Sequence, residues 1–503
     1  MHASLIADDA TGAAADPEAD AWMSRISALP PEQACRLIEE RLNMLEAAHL
    51  PVGQFVPALG LIQDAITTLH ARIDAALPRT EMRFSAGELE LVKSLLALLK
   101  RTASAFVDAA GLLDGKWFPG ASRRIRDDAL QQGALAVLLR VELAHRIYAR
   151  SSTSGWQQLL RISTIAISRK ARVAEAARAE IARLHTRAVL FELADPNRLD
   201  PIYFEHLRMY LRRHGGQTRI VRLQDLAPDK RRDPGLHLLD PAGRSSQPAS
   251  RVDASRSDGD WLVLDARPLV KRIERQLTGL SAGVDTARLG LPRDARQARY
   301  HEFLAGLGER WGQRSTRRHT RSRFLPRTQL AIGLGASREL LADPDAAARQ
   351  PAGGQVAINP WSIVNESPAG FALAQIAPTG GVRIGEPCCL RPDGRPDAHV
   401  GIIRRAEQRG PRDLVIGIEL LGSGARPASV QSPSSEDGTE ETPLIHFARS
   451  SRFSGPTLLC RAGRLRAGET VVVRIGDHLE PCRVTELAAV GGQFELASLA
   501  GST

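Results

Sequence analysis

Arg310-Trp-Gly-Gln-Arg314-Ser-Thr-Arg317-Arg318-His-Thr-Arg321-Ser-Arg323 opens the stretch that organises this chain, and Asn365-Glu-Ser367-Pro-Ala-Gly370 closes it. Just upstream, Tyr300, Leu304, Leu307 and Trp311 recur at steps of four, three and four, so a helix runs straight into the arginines. Such a helix presents the basic run as a hinged arm. From about residue 326 the apolar period changes to two. The candidate strands are Thr328–Leu334, Gln355–Asn359, Trp361–Val364, Phe371–Ile376, Glu386–Leu390, His399–Ile403 and Leu414–Leu421. Gly353-Gly354, Pro378-Thr-Gly380-Gly381 and Pro392-Asp-Gly394 punctuate them. Many short strands with such turns predict a small antiparallel barrel or sandwich.

Upstream the pattern is helical. Residues 1–15 are rich in Ala and Asp and read as disordered. Across 16–216, Phe55, Leu59, Ile62, Ile66, Leu69 and Ile73 form one helix face, and Leu89, Val92, Leu96, Leu99, Ala103 and Phe106 form another. Ser85 stands three before Glu88, the spacing of a capping box. Further helices are expected near 126–150 and 155–193. Asp200-Pro201 suits a helix start, with Phe204, Leu207 and Leu211 behind it and Gly215-Gly216 as its stop. Four to six stacked helices imply a bundle or hairpin array, a scaffold for packing, for docking a protein partner or for self-association. Its acidic residues are expected mostly on polar, solvated faces.

Residues 217–311 read as a mixed α/β connector, with strands at Thr218–Leu223, Leu236–Leu239 and Trp261–Leu264 and a helix carrying Leu269, Ile273, Leu277 and Leu280. The polar stretch from about Asp229 to Asp260 reads as a mobile connection around the second of these strands. The barrel is expected over 312–430 and an acidic, Ser/Pro-bearing linker over 431–443. Strands at Thr457–Cys460, Thr470–Ile475, Cys482–Leu487 and Gln493–Leu496 make 444–503 a β extension, which either enlarges the first barrel or forms a second small unit. The fold class is therefore multidomain α + β.

Length favours three domains over one. The five cysteines have no metal-ligand spacing and read as reduced thiols, some of them buried as small apolar groups. The N-terminus lacks a basic start and a long apolar core, and no window approaches 18 apolar residues, so the expected place is the cytoplasm, with no integral membrane segment. The net charge of +10, carried mostly by arginine, suits an anionic partner without naming one. No Gly-x-Ser-x-Gly, His-Glu-x-x-His or complete phosphate loop occurs. Gly111-Leu-Leu-Asp-Gly115-Lys116 misses the loop's spacing and its Ser/Thr. No catalytic residue, metal ligand or cofactor is expected.

Arginines four apart, then a strand, then Asn-x-Ser-x-x-Gly resemble the two motifs of the PilZ family of cyclic di-GMP receptors. Trp361-Ser-Ile-Val, Val382-Arg-Ile-Gly385, Val400-Gly-Ile-Ile-Arg404-Arg405 and Ile416-Gly-Ile-Glu419 resemble its barrel strands, and the likeness spans about 312–430. It implies a PilZ-like barrel binding cyclic di-GMP through Arg317, Arg318, Arg321, Asn365, Ser367 and Gly370. Arg314, which has the same spacing to Arg318, is a further candidate. The residue types match the ligand. An arginine fork fits guanine O6 and N7, or a phosphate, in bidentate fashion. An asparagine carbonyl accepts from N1–H or N2–H, a serine hydroxyl serves phosphate or base, and a glycine admits close approach. Trp311 could stack on a guanine, but its spacing places it in a helix core. Ser337 to Gly353 stands as an insertion between the motifs. The expectation is an effector whose arm closes on the ligand and changes the angle between helices and barrel. The competing readings are a ligand-free PilZ-fold adaptor held by protein contacts and, less favoured, a nucleic-acid-binding module.

Overall fold

The computed structural model describes residues 17–79, 82, 84–113, 120–168, 172–239, 246–248, 261–312, 327–343, 345, 358–376, 381–394, 397–410, 413–431, 442–491 and 493–501. The N-terminal part is helical: α1 (Pro17–Ala28), α2 (Pro31–Ala47), α3 (Val52–Ala76), α4 (Ala86–Leu113), α5 (Gly120–Arg146), α6 (Thr153–Ile167), α7 (Glu175–Leu193) and α8 (Ile202–His214). The expected stripes face the core. Leu59, Ile62, Ile66, Leu69 and Ile73 of α3 are buried, as are Leu89, Val92, Leu99, Ala103 and Phe106 of α4. Burying each such side chain contributes about 1.5–3 kcal/mol. The capping box before α4 forms in both directions: Ser85 N–H donates to Glu88 Oε2 at 2.6 Å, and Glu88 N–H donates to Ser85 Oγ at 3.1 Å. Asp200 Oδ1 accepts from Ile202 N–H at 3.2 Å at the start of α8.

Two expectations for this region change. Helices are more numerous, because prolines at 30, 31 and 51 divide the first stretch and because 155–193 is two helices. The first of those two ends at Ile167, where Ser168 is already extended (φ −66°, ψ 125°), and Arg172 takes a left-handed backbone (φ 50°) before the second begins, with no Gly or Pro to announce the break. The acidic residues are not all solvated. Glu142 of α5 is buried and pairs with Arg208 Nε at 3.1 Å and Arg187 Nη2 at 3.3 Å. Asp74 pairs with Arg146 Nε at 3.2 Å and also with Arg208.

The connector holds β1 (Arg219–Arg222), β2 (Leu236–Leu239), β3 (Ser246–Pro248) and β4 (Leu262–Asp265), an antiparallel sheet in the order β1-β4-β2-β3. Most of the polar stretch around β3 lies outside the described residues. Helices α9 (Arg267–Ser281), α10 (Thr286–Leu289) and α11 (Ala298–Gly312) follow. Trp311, near the end of α11, is fully buried. Its indole N–H donates to the Leu190 carbonyl at 3.0 Å, and its own carbonyl contacts His237 Nε2 at 2.8 Å. It is a core residue.

The first barrel comprises β5 (Arg327–Ile332), β6 (Ile358–Ser367), β7 (Gly370–Gln375), β8 (Pro387–Pro392), β9 (His399–Gly410) and β10 (Asp413–Leu420). It closes in the order β10-β7-β6-β5-β8-β9. Strand β6 contains the expected Trp361–Val364 and, of the expected Gln355–Asn359, Ile358 and Asn359; residues 355–357 lie outside the described residues. The expected first strand stops at Ile332, and α12 (Leu334–Ala342) occupies the start of the insertion. A second closed barrel holds β11 (Gly422–Gln431), β12 (Thr442–Ser450), β13 (Thr457–Arg461), β14 (Thr470–Ile475), β15 (His478–Gly491) and β16 (Phe494–Gly501), in the order β11-β12-β13-β16-β15-β14. The C-terminal extension is thus a barrel of its own. It also takes β11, most of whose residues fall within the 312–430 expected for the first barrel, because β11 pairs with β12 and β14.

One apolar core runs from the helices into the first barrel, where Trp361, Ile363, Leu373 and Ile416 join it. At that junction Met82 N–H donates to the Val382 carbonyl at 2.7 Å, Gln408 N–H donates to the Tyr148 carbonyl at 3.0 Å, and Arg150 pairs with Glu407 at 2.8 Å. On its other side, Ile358, Val400 and Ile402 pack with α12 and with Ile445, Phe447 and Leu459 of the second barrel. All five cysteines are free and buried, and burial pushes the Cys389 thiol up to about 12. No helix among the described residues is long and apolar enough to cross a membrane.

Candidate functional site on the outer face of the first barrel

Alternation decides which side chains leave the barrel. On β7 and β10, Phe371, Leu373, Leu414, Ile416 and Ile418 point to the interior and are buried. Their neighbours therefore face outward. The register lines up three outward rows across β6, β7, β10 and β9. One row is Ser362, Ala374, Val415 and Glu407. The middle row is Asn365, Ala372, Gly417 and Arg405. The third is Ser367, Gly370, Glu419 and Ile402.

The sequence-predicted corner lies in this pattern. A register shift between Ile363 and Asn365 marks a bulge at Val364, and the bulge turns Asn365 to the outer face. Ser367 and Gly370 pair across the turn at Pro368-Ala369, and Ser367 Oγ donates to the Gly370 carbonyl at 3.2 Å. Gly370 has a packing reason as well. A Cβ there would lie 1.9 Å from the Ile418 carbonyl oxygen, so β7 approaches β10 too closely for any side chain. The structure thus brings Asn365, Ser367 and Gly370 together as half-exposed or backbone groups at one end of the outer face.

Arg314, Arg317, Arg318 and Arg321 lie outside the described residues. Both ends of their segment are placed, however. The preceding end is the buried Trp311. The following end is Arg327, which pairs with Ser362 of β6, so β5 enters from the end of β6 that carries Asn365. Arg327 stands six positions after Arg321, a reach of up to about 20 Å. Asn365 stands three residues beyond Ser362, about 10 Å along the strand.

The opposite edge of the face is cationic. Glu407 is buried, and Arg150 Nη2 and Arg409 Nε each contact it at 2.8 Å, while Arg405 Nη2 stands at 3.5 Å. Burial alone would raise the Glu407 carboxyl, but the hydrogen bonds from Arg150 and Arg409 outweigh it and hold it below the ordinary carboxylate range. Three guanidinium groups thus share one carboxylate. Nearby, Arg404 Nε contacts Glu419 Oε2 at 2.7 Å, with Arg452 at 3.8 Å from the same side chain. Glu302 of α11 also feels Arg404 and Arg452, although burial still raises its carboxyl. The net effect is a surface that attracts anions.

Sequence reasoning quoted Arg404 and Arg405 as strand residues and gave them no role. The register shift between Gly417 and Ile418 shows why: Arg404 is the extra residue of a bulge, so simple alternation fails across it. Among the described residues no cluster of His, Cys, Asp and Glu could hold a metal ion. No curated protein matches the chain. Residues 17–225, less than half of the chain and wholly within the helices and the start of the connector, match the family model described as the N-terminal domain of the cyclic-di-GMP receptor FimW.

Proposed function

We propose that this protein is a non-catalytic cyclic di-GMP effector of the PilZ type, and that the outer face of the first barrel is its ligand site. The carrying observation is that two separate stretches point to one ligand. The helical part is similar to the N-terminal domain of a cyclic-di-GMP receptor. The barrel presents Asn365, Ser367 and Gly370 within tether reach of the arginine segment. Neither stretch overlaps the other.

In this reading Arg317, Arg318 and Arg321 supply forks for phosphate and for guanine O6 and N7. Asn365 accepts from a guanine N–H, and Ser367 and Gly370 form the corner that the ligand approaches. The ligand's phosphates neutralise a row of like charges that repel one another when free. Because the arm joins α11 to β5, its capture biases how the helices and the barrel sit together, by as much as the ligand's affinity differs between the two arrangements. The helical part is where a protein partner or a second copy would read that change.

Titration calorimetry tests this. A micromolar dissociation constant corresponds to about −8 kcal/mol, and losing one charge-assisted contact costs about 1.5–3 kcal/mol. Wild-type protein is expected to bind cyclic di-GMP in the micromolar range or tighter, and Arg321→Ala to weaken binding by roughly tenfold or more. No heat from wild-type protein at high micromolar ligand would remove the proposal. Undiminished binding by Arg321→Ala would move the working pair to Arg314 and Arg318.

A further inference from the structure

The middle row of the outer face has a shape of its own. Asn365 stands at one end and Arg405 at the other, with Ala372 and Gly417 between them. Four adjacent strands at about 4.8 Å spacing separate the two ends by about 14 Å. The floor between them carries one methyl group and one bare Cα, and both residues are half-exposed. Flat, small-residue ground flanked by an amide and a guanidinium suits a planar ring with an anionic group at one edge.

Arg405 is the least committed of the three cations around Glu407. Its contact is the longest, at 3.5 Å against 2.8 Å for Arg150 and Arg409. Its Nε is buried and has no hydrogen-bond partner among the described residues. Gly417 lies directly beside it, where a Cβ would already touch the Arg405 Cβ at 3.4 Å, so the base of the arginine lies along the floor. Arg404, by contrast, is held by Glu419 at 2.7 Å.

We propose that Arg405 is a further ligand-contacting residue, receiving a phosphate of a cyclic dinucleotide whose base lies over Ala372 and Gly417, with Asn365 at the far edge. This rests on the cyclic di-GMP reading above and adds a cation that neither sequence motif contains. Binding draws Arg405 away from Glu407, which keeps Arg150 and Arg409. The Arg150 contact also ties this edge of the site to the segment between α5 and α6, so the ligand borders the helical part.

The test is calorimetric titration of the full chain with cyclic di-GMP, at low and moderate salt, for wild type, Arg405→Ala, Arg405→Lys and Ala372→Glu. Arg405→Ala is expected to bind roughly tenfold or more weakly, with part of the loss restored by lysine. Ala372→Glu, which puts a carboxylate on the floor two strands from Arg405, is expected to lose binding to a similar degree. Both variants are expected to melt close to wild type, since both positions are partly exposed. Binding by both at wild-type strength, with Arg321→Ala impaired, overturns the role of Arg405 and leaves the ligand reading intact. Failure of wild type to bind overturns both.

Discussion

Gly370 illustrates how a residue that looks like a ligand contact also serves the barrel. With a Cβ 1.9 Å from the Ile418 carbonyl oxygen, Gly370→Ala must push β7 off β10. Such overpacking costs about 1–3 kcal/mol. The expected outcome is a lowered unfolding midpoint in the absence of any ligand. An unchanged midpoint would show that the strands part without strain. A Gly370 variant therefore tests the shape of the barrel, whereas variants at Asn365 and Arg405, half-exposed on the outer face, are the ones that test the proposed ligand contacts. The sequence showed Asn365, Ser367 and Gly370 because their spacing is local. It did not show Arg405, because that position becomes part of the face only through pairing across β10.

Among the elements, α4 shows local chemistry deciding a boundary. The reciprocal Ser85 and Glu88 bonds satisfy two N–H groups that the first turn leaves without helical partners. Ser85→Ala is expected to destabilise the protein by about 0.5–2 kcal/mol in urea unfolding, and threonine to retain most of the stability. An alanine variant as stable as wild type would mean that packing of Leu89, Val92 and Phe106 sets the helix start unaided. The strands behave differently. The expected strand Trp361–Val364 runs on without a break from Ile358 and Asn359 in β6, a continuity that depends on the hydrogen-bonding partners supplied by β5. The sequence marks no strand at β11, which is Gly-, Ser- and Pro-bearing, or at β12, whose short apolar run Leu444, Ile445 and Phe447 has no partner until the second barrel closes.

For the whole molecule, the junction of helices and first barrel carries an acid–base pair of a buried histidine and a partly buried carboxylate. His145 Nε2 lies 2.6 Å from Glu192 Oε2, Ser151 Oγ donates to the same carboxylate at 2.7 Å, and His145 Nδ1 faces Asn197 Oδ1 at 3.0 Å. Asn197 Nδ2 donates to the Tyr148 carbonyl at 3.1 Å, the same oxygen that Gln408 of β9 reaches. Burial alone would lower His145 and raise Glu192. Their mutual attraction and hydrogen bonds outweigh it, so His145 is held above 6.5 and Glu192 below 4.5, with Asp195 and Arg150 adding in the same directions. A raised histidine contributes stability below its unfolded value and loses it as pH climbs through the folded value. A lowered carboxylate contributes above its unfolded value and loses it as pH falls through the folded one. The pair therefore stabilises most between roughly pH 4.5 and 6.5. Urea unfolding of wild type and Glu192→Gln is expected to differ most near pH 5.5 and less near pH 9. A difference independent of pH would contradict the charged pair.

Sequence by itself determined what depends on neighbours along the chain: the helical stripes, the capping box, the switch to a period of two near residue 326 and the Asn–Ser–Gly corner. These follow from periodicity and from hydrogen bonds only a few residues long. Tertiary structure alone decided which side of each strand meets solvent after the bulges at Val364 and Arg404, because one extra residue inverts the parity of everything beyond it. It also decided that β11 closes a second barrel and that Glu142 and Asp74 are buried among arginines. In each case the partners are far apart in sequence and meet only when the chain has folded.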